Sequence, residues 1–495
     1  MQRATEGPGN LECTRLLHRS MTEISRQTPW LPVMMAVLLL VTLSSQQLVP
    51  ADQSDTQNDD TQVDYGIAFL SPSEGEWVEG ERVEVTVSTT GDLDEESLEL
   101  WVNGQLEATE SVTDSVSFDI HASGYSDGSG SPAALELEIR VGTHNAGRLN
   151  FTVIFPQRLT DSPAEDIQPE WNTEGDTLLF KSSRGLEEGD YEIYRLSPDG
   201  SEPSLVTTEQ RYHGYPGWSP DGSHVVFNSW VRNSESDSHQ MEIFTASILT
   251  GETHRVTDNA AFDDSGRWSP DGTEIIFYSN RDGTMDLWKV PVSETGEPTG
   301  PPLKLVGTDA REHCGRWSPD GDWIVYESDQ SGSNDIWVVS SDGEGPTQVT
   351  FDDYQDGYPA WSPDGSHVVY NSVRGINGDL YVLSLFDGGL HRLTSDTAID
   401  AHPTWSADGR HIAFHSDRSG DFDIWMVEIP LIEAPEDVSV AGTMVPAHAS
   451  PLTPLVLLAV LLGTASGNLE CPRSPLSTDG RGRSAPATQS DRWGH

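Results

Sequence analysis

A short motif, Trp-Ser-Pro-Asp-Gly or a close variant, recurs six times between residues 171 and 410. The copies begin at Trp171, Trp218, Trp268, Trp317, Trp361 and Trp405. Successive copies are 44–50 residues apart, which is the period of β-propeller blades built from about four strands each. One such unit cannot bury its own apolar face, so the copies must stack on one another.

Each repeat unit has the same internal order. A strand carrying the tryptophan is followed by a Pro-Asp-Gly turn, in which the glycine takes the positive φ angle. An alternating apolar strand then ends in aromatic-x-Ser, and a further strand opens with an acidic, an apolar and an aromatic residue, as in DLW at 286–288. We expect the aromatic residues to fill the wedges between neighbouring blades.

The two ends of the repeat region complement each other. The sixth unit stops after DIWMVEIP and lacks the last strand, which in other units ends in forms such as QVT or RLT. The missing strand sequence precedes the first unit, as PQRLTD at 156–161. The sequence therefore predicts a six-bladed β-propeller over 156–430, closed by its own N-terminal strand so that no sheet edge is left unpaired.

These repeats resemble those of TolB-like propeller proteins, the WD40-like PD40 class, over residues 156–430. The resemblance implies a six-bladed propeller. TolB itself carries an α/β domain before its propeller, whereas a β-rich segment stands here, so the chain is not TolB itself and the cell-envelope role of TolB is not carried over. Oligogalacturonate lyases are similar propellers that use a His-rich metal centre, and they supply an enzymatic alternative.

The segment 65–155 has short strands of alternating polarity. ERVEVTVST places Val83, Val85 and Val87 on one face, and SLELWVNG ends in an Asn-Gly turn signal. The segment resembles bacterial immunoglobulin-like domains. We therefore expect an all-β protein in which an immunoglobulin-like β-sandwich precedes the propeller.

Charge excludes some classes of partner. The chain has 28 basic against 80 acidic residues, a formal net charge of −52. Nucleic acids and anionic membrane surfaces both require basic patches, so we expect no nucleic-acid partner. The three cysteines have no metal-binding spacing and do not indicate a disulfide framework.

The chain ends carry signs of export. In residues 1–51, arginines precede the apolar run 30–43, the pattern of a signal peptide or signal anchor. Residues 52–64 are polar and predict a linker. The tail 431–495 is expected to be flexible, and its short apolar segment 454–463 could anchor the protein to a membrane or pack locally. The predicted localisation is the periplasm, the cell surface or the extracellular space.

One repeat position predicts a metal site. Five residues before each tryptophan stand Asp166, His213, Asp263, Glu312, Asp356 and Asp400. The same position in every blade should form a ring around the axis, so the five carboxylates could hold Ca²⁺ or another divalent cation. The alternative is that each acid caps its own loop.

Departures from the repeat predict a ligand site. His213 replaces an acid, and REHCGRW places Arg311, His313 and Arg316 in one short loop. With His402 in the matching loop of the last unit, these residues are the candidate ligand-binding set at the channel mouth. Arg267 and Arg316, each one residue before a tryptophan, could bind an acidic group. The alternative is ordinary solvated surface.

We therefore predict an exported or surface-displayed binding module that recognises a protein or glycan partner through one propeller face, without catalytic residues. Two alternatives stay open. One is a metal-dependent enzyme acting on acidic oligosaccharides, similar to oligogalacturonate lyases, and the other is a structural component of the cell envelope.

Overall fold

The computed structural model describes residues 66–430, except 91–96, 112–114, 142–143, 187–188, 200, 208–211 and 233–238. The predicted signal segment 1–51, the linker 52–64 and the tail 431–495 with its apolar segment 454–463 lie outside the described residues. In the part of the chain that is described, no helix combines the length and the apolar character needed to cross a membrane.

Eight strands form the N-terminal part. They are β1 (Gly66–Ser71), β2 (Trp77–Glu79), β3 (Arg82–Thr90), β4 (Ser97–Val102), β5 (Gln105–Ser111), β6 (Ser115–His121), β7 (Ala133–Val141) and β8 (His144–Ile154). A 3₁₀ turn, Ala122–Gly124, follows β6. The strands make two sheets, of order β1-β3-β6 and β2-β8-β7-β4-β5.

Alternating side chains hold these two sheets together. Along β3 the valines at 83, 85 and 87 are buried, and β7 alternates in the same way. The inward residues of both sheets join in one apolar core that includes Leu100, Phe118 and Leu137. The segment is thus a pair of packed sheets, and its assignment to the immunoglobulin-like class stays a prediction.

Six four-stranded antiparallel sheets follow. Blade one contains β10 (Asp166–Trp171), β11 (Leu178–Ser182), β12 (Glu192–Leu196) and β13 (Ser204–Leu205). Blade two contains β14 (His213–Trp218), β15 (His224–Arg232), β16 (His239–Ser247) and β17 (Thr253–Arg255). Blade three contains β18 (Asp263–Trp268), β19 (Glu274–Ser279), β20 (Asp286–Pro291) and β21 (Leu303–Val306).

The second half of the ring repeats this order. Blade four contains β22 (Glu312–Trp317), β23 (Trp323–Ser328), β24 (Asp335–Ser340) and β25 (Thr347–Gln348). Blade five contains β26 (Gln355–Trp361), β27 (His367–Val373), β28 (Asp379–Ser384) and β29 (Leu390–Arg392). Blade six contains β30 (Asp400–Trp405), β31 (His411–Ser416), β32 (Asp423–Glu428) and, from the start of the propeller, β9 (Gln157–Arg158). The predicted closure by an N-terminal strand is confirmed.

Aromatic residues of the repeat fill the spaces between blades, as expected. At the junction of blades two and three, Trp268, Ile275 and Phe277 pack against Val226 and Ile243. Each of the other five junctions has an apolar cluster of the same kind. Burial of such side chains contributes about 1.5–3 kcal/mol each, so blade stacking is the main source of stability.

The aspartate of the Pro-Asp-Gly motif stabilises the turn by accepting hydrogen bonds. In blade three Asp271 accepts hydrogen bonds from the Ser269 hydroxyl (2.6 Å) and the Thr273 N–H (3.0 Å). Gly272 has φ 74°, a value that a side chain would disfavour. We call the end of the propeller that carries these six turns the turn end.

In blades one, two, four and six a threonine just after the last strand bonds to the acid that opens the strand before it. In blade two the Thr257 hydroxyl donates to Glu242 (2.5 Å) and accepts from the Ile243 N–H (3.0 Å). In blade six Thr160 does the same with Asp423 (3.2 Å) and Ile424 (2.9 Å). The closing strand therefore uses the same contact as an internal strand.

The sheet pair also contacts the propeller. Glu79 accepts from the Ser395 N–H (2.6 Å) and from the guanidinium of Arg418 in blade six. Trp77 stacks on His391, with ring centroids 4.5 Å apart. These contacts fix the sheet pair to blades five and six.

We expect Thr160→Val to lower the melting temperature of the full chain by several degrees. The change removes two buried hydrogen bonds, one of them to a carboxylate, which together contribute about 2–3 kcal/mol. Differential scanning calorimetry of Thr160→Val beside Thr257→Val provides the measurement. A drop for Thr257→Val with none for Thr160→Val would show that the N-terminal strand does not close the ring.

Candidate functional site

The inner strand of every blade contains one residue with a left-handed backbone. These residues stand three before each repeat tryptophan and have φ between 48° and 59°. They are Gln168, Tyr215, Ser265, Cys314, Tyr358 and His402. The pairing register of each inner strand shifts around this residue. Such a bulge breaks the strict alternation of a strand and directs neighbouring side chains to the same side, here the propeller axis.

A second set of polar residues reaches the axis from the neighbouring strands. It consists of the x residue of each aromatic-x-Ser: Lys181, Asn228, Tyr278, Glu327, Asn371 and His415. Lys181 lies over the Tyr215 ring (5.9 Å), and Glu327 accepts from the Tyr358 N–H (3.0 Å). Apart from His402, sequence reasoning missed both sets. A polar residue that varies from unit to unit inside an otherwise apolar strand was the available signal.

Burial shifts the pKa of several groups at the axis. It lowers the pKa of Lys181 to about 8, although the nearby Asp264 carboxylate opposes the shift. It raises the pKa of Asp264 to about 6, against the stabilising hydrogen bonds from the Ser265 N–H and the Tyr278 hydroxyl. The pKa of His415 falls to about 3 for the same reason, so this ring is neutral at pH 7.

Side chains fill the centre of the propeller. The rings of Tyr358 and His402 lie 3.6 Å apart between centroids, and Tyr215 contacts His402 at 5.6 Å. The cavity left among them has a volume of about 10 Å³. A space of this size holds about one water molecule.

A wide bowl lies at the turn end. Its volume is about 520 Å³, and its wall is formed by tryptophans and prolines of the repeated turns. On its floor Arg316 contacts both carboxylate oxygens of Glu170 (2.9 and 2.7 Å), and Arg267 approaches the same carboxylate at 3.7 Å. Burial lowers the pKa of Arg267 to about 10, which leaves it charged at neutral pH.

Four of the five predicted metal carboxylates bind partners near their own loops. Arginines contact three of them, in the pairs Asp166–Arg184 (2.6 Å), Asp263–Arg281 (2.9 Å) and Asp400–Arg418 (2.8 Å). Glu312 bonds to Thr308. Neither oxygen of Asp356 has a hydrogen-bond partner among the described residues, because Arg374 bonds to Asp352 instead.

Two clusters of three carboxylates that could hold a metal ion include these positions. They are Glu79 with Asp396 and Asp400, and Asp335 with Asp352 and Asp356. Each contains one predicted ligand and not the ring as a whole. A metal at the ring positions stays a prediction.

The histidine at 213 has a structural partner. His213 Nδ1 lies 2.9 Å from Glu192, the acid that opens β12 of blade one. In blades two, five and six the equivalent acid bonds to an arginine of the last strand: Arg255, Arg392 and Arg158. Blade one has Leu205 at that position, opposite Tyr194. His213 therefore takes the place of the missing arginine as a partner of Glu192, and the two departures from the repeat compensate each other.

The other candidate ligand residues lie in three settings. Arg311 is exposed and pairs with Asp329 (2.8 Å). His313 bonds to Glu327, while Arg316 and His402 line the same central cavity. The structure thus brings Arg316 and His402 together and leaves His213 and Arg311 elsewhere. Ligand binding by this set stays a prediction.

Residues 353–452 match a family described as the TolB beta propeller domain, PD40. The resemblance to TolB-like propellers is confirmed. None of the curated proteins compared with the chain matches it.

Several solved structures are similar to this chain. Putative TolB from Agrobacterium tumefaciens shares 22% identity over 59% of this chain and 95% of its own, with TM-score 0.42. TolB from Acinetobacter baumannii shares 18% over 69% and 82%, with TM-score 0.44. Oligogalacturonate lyase from Vibrio parahaemolyticus shares 16% over 56% and 93%, with TM-score 0.38.

We expect Asp356→Asn to stabilise the propeller at pH 7.5. Burial raises the pKa of Asp356 from 3.8 to about 6, so the unfolded chain ionises at lower pH than the folded one. Wild-type stability therefore falls as pH rises from about 4 to 6, by an amount on the order of 2–3 kcal/mol. The asparagine variant avoids this loss.

Melting curves between pH 7.5 and pH 4.5 measure the effect. The gain in melting temperature should shrink as pH falls below 6. Asp263→Asn is the matched control, since it weakens a carboxylate bonded twice to Arg281 and should destabilise at pH 7.5. A loss of stability for Asp356→Asn at pH 7.5 would mean that its ionised carboxylate has a stabilising partner.

Proposed function

We propose that this chain is an exported, non-catalytic binding module that holds a protein partner in the bowl at the turn end of its propeller. The size of the bowl is the main observation that supports the proposal. Its volume of about 520 Å³ lies in the range of sites that bind ligands or protruding side chains. The central cavity below it, at about 10 Å³, admits no substrate.

The charge of the floor specifies the kind of group that would enter. Two guanidinium groups, Arg267 and Arg316, face one carboxylate, Glu170. The floor is therefore positive by one charge in a protein with a net charge of −52. Arginine offers forked N–H donors that suit carboxylates. We infer that the partner presents an acidic side chain or a chain terminus.

The tryptophan wall favours a protein occupant. Large aromatic side chains and arginines are enriched in the binding centres of protein interfaces. Six tryptophans of the repeated turns line this bowl. An acidic glycan would satisfy the same floor, and the test below distinguishes the two.

Two sequence features support export and a binding role. The predicted signal segment 1–51 directs a chain out of the cytoplasm. The match of residues 353–452 to the TolB beta propeller domain is consistent with a protein partner.

Photo-crosslinking tests the proposal. We expect a benzophenone amino acid in place of Ala407, an exposed residue of the bowl, to form a covalent adduct with a defined protein in the cells that make this chain. The same group in place of Gln330 is the control. Gln330 is exposed in the loop between β23 and β24, and antiparallel pairing places that loop at the end opposite the bowl.

Mass spectrometry of the adducts gives the outcome. A protein adduct from position 407 that is absent from position 330, and that is weakened by Arg316→Gln, would support the proposal. Adducts from position 330 alone would place the partner on the other face. No protein adduct at 407 together with binding of acidic oligosaccharides would exclude a protein partner in the bowl.

A further inference from the structure

We infer that blade four holds a zinc-type metal site formed by His313, Cys314 and Glu327 beside the propeller axis. The metal-ligating atoms of these three side chains all lie within 4.8 Å of one another. Thiolate, imidazole and carboxylate are the donors with which proteins bind Zn²⁺. This site is separate from the carboxylate ring and from the bowl.

The backbone of blade four brings the three groups together. His313 and Cys314 are consecutive, and in a regular strand their side chains would point to opposite faces. The left-handed conformation of Cys314, φ 53°, interrupts this alternation. Glu327 lies directly opposite His313 in the paired strand β23 and bonds to its Nδ1.

The composition of blade four differs from that of the other blades at these positions. The three residues occupy equivalent positions in every blade: two consecutive inner-strand residues at the bulge and the residue paired opposite the first. In blade five the equivalents are Gly357, Tyr358 and Asn371, and in blade six they are Ala401, His402 and His415. Among the six units, only blade four has three metal-ligating side chains at all three positions. The shared backbone geometry is therefore combined here with the residue types that a metal requires.

The surroundings suit a bound dication. A Zn²⁺ ion with one thiolate and one carboxylate is a neutral unit, so it adds no net charge to the partly buried centre. The Tyr358 N–H donates to Glu327 (3.0 Å) and orients it, as outer-shell groups do in metal sites. Cys314 also lines the central cavity of about 10 Å³, which offers space for one water as a fourth ligand.

The ligands need only a small adjustment to admit the ion. Tetrahedral zinc with bonds of about 2.0–2.3 Å separates its ligand atoms by about 3.3–3.6 Å. The His313 ring and the Glu327 carboxylate are in direct contact and would separate to admit the ion. A change in side-chain torsion angles is enough for this, since both groups lie at the ends of side chains and not on the backbone of the paired strands.

Cobalt titration of the purified full chain tests this inference. After dialysis against chelator, we expect one Co²⁺ per chain to bind and to give thiolate-to-cobalt charge-transfer absorption, which Zn²⁺ then removes. Cys314→Ser should abolish this absorption. The matched control is the double variant Cys13→Ser and Cys471→Ser, which should retain it and so exclude the two other cysteines.

Two further variants connect the absorption to the geometry. His313→Gln and Glu327→Gln should each weaken Co²⁺ binding by at least about tenfold while the metal-free melting curves stay near that of the wild type. Absence of a thiolate band in the wild type, or its persistence in Cys314→Ser, would overturn the inference. Unchanged Co²⁺ affinity in both glutamine variants would overturn it as well.

Discussion

One backbone conformation repeated six times determines what the centre of this protein contains. A left-handed residue in each inner strand costs roughly 1–2 kcal/mol, so the six together cost on the order of 6–12 kcal/mol. The apolar clusters at the six blade junctions offset that strain. In return, each blade directs several side chains toward the axis. The polar centre, the inferred metal site and the closed channel all depend on this bulge.

Much of the architecture could be predicted from the sequence because it follows local rules. The Pro-Asp-Gly turns, the aromatic spacing and the RLT sequence ahead of the first unit predict a closed ring of six blades. The left-handed residues could not be found in the same way. Their types range from glutamine to histidine, and none is a glycine, so no residue preference marks the position. The backbone φ angles and the register of the paired strands reveal it.

The candidate site was harder to predict for a related reason. A residue that departs from a repeat has two explanations, function or compensation, and sequence order alone does not separate them. His213 departs because Leu205, on a different blade, cannot bond to Glu192. The contact joins residues from two blades across a junction. By contrast, the polar x residues of the aromatic-x-Ser motifs differ from blade to blade inside a buried strand. There, each polar side chain needs a partner at the axis.

The closing strand β9 belongs to blade six, and the sheet pair contacts the same blade. This arrangement has a mechanical consequence. β8 ends at Ile154 and β9 begins at Gln157, so almost no slack separates the sheet pair from the last blade. The salt bridge between Glu79 and Arg418 connects to the same blade. Tension applied through the N-terminal part would therefore load blade six and its neighbour blade five before the other four blades.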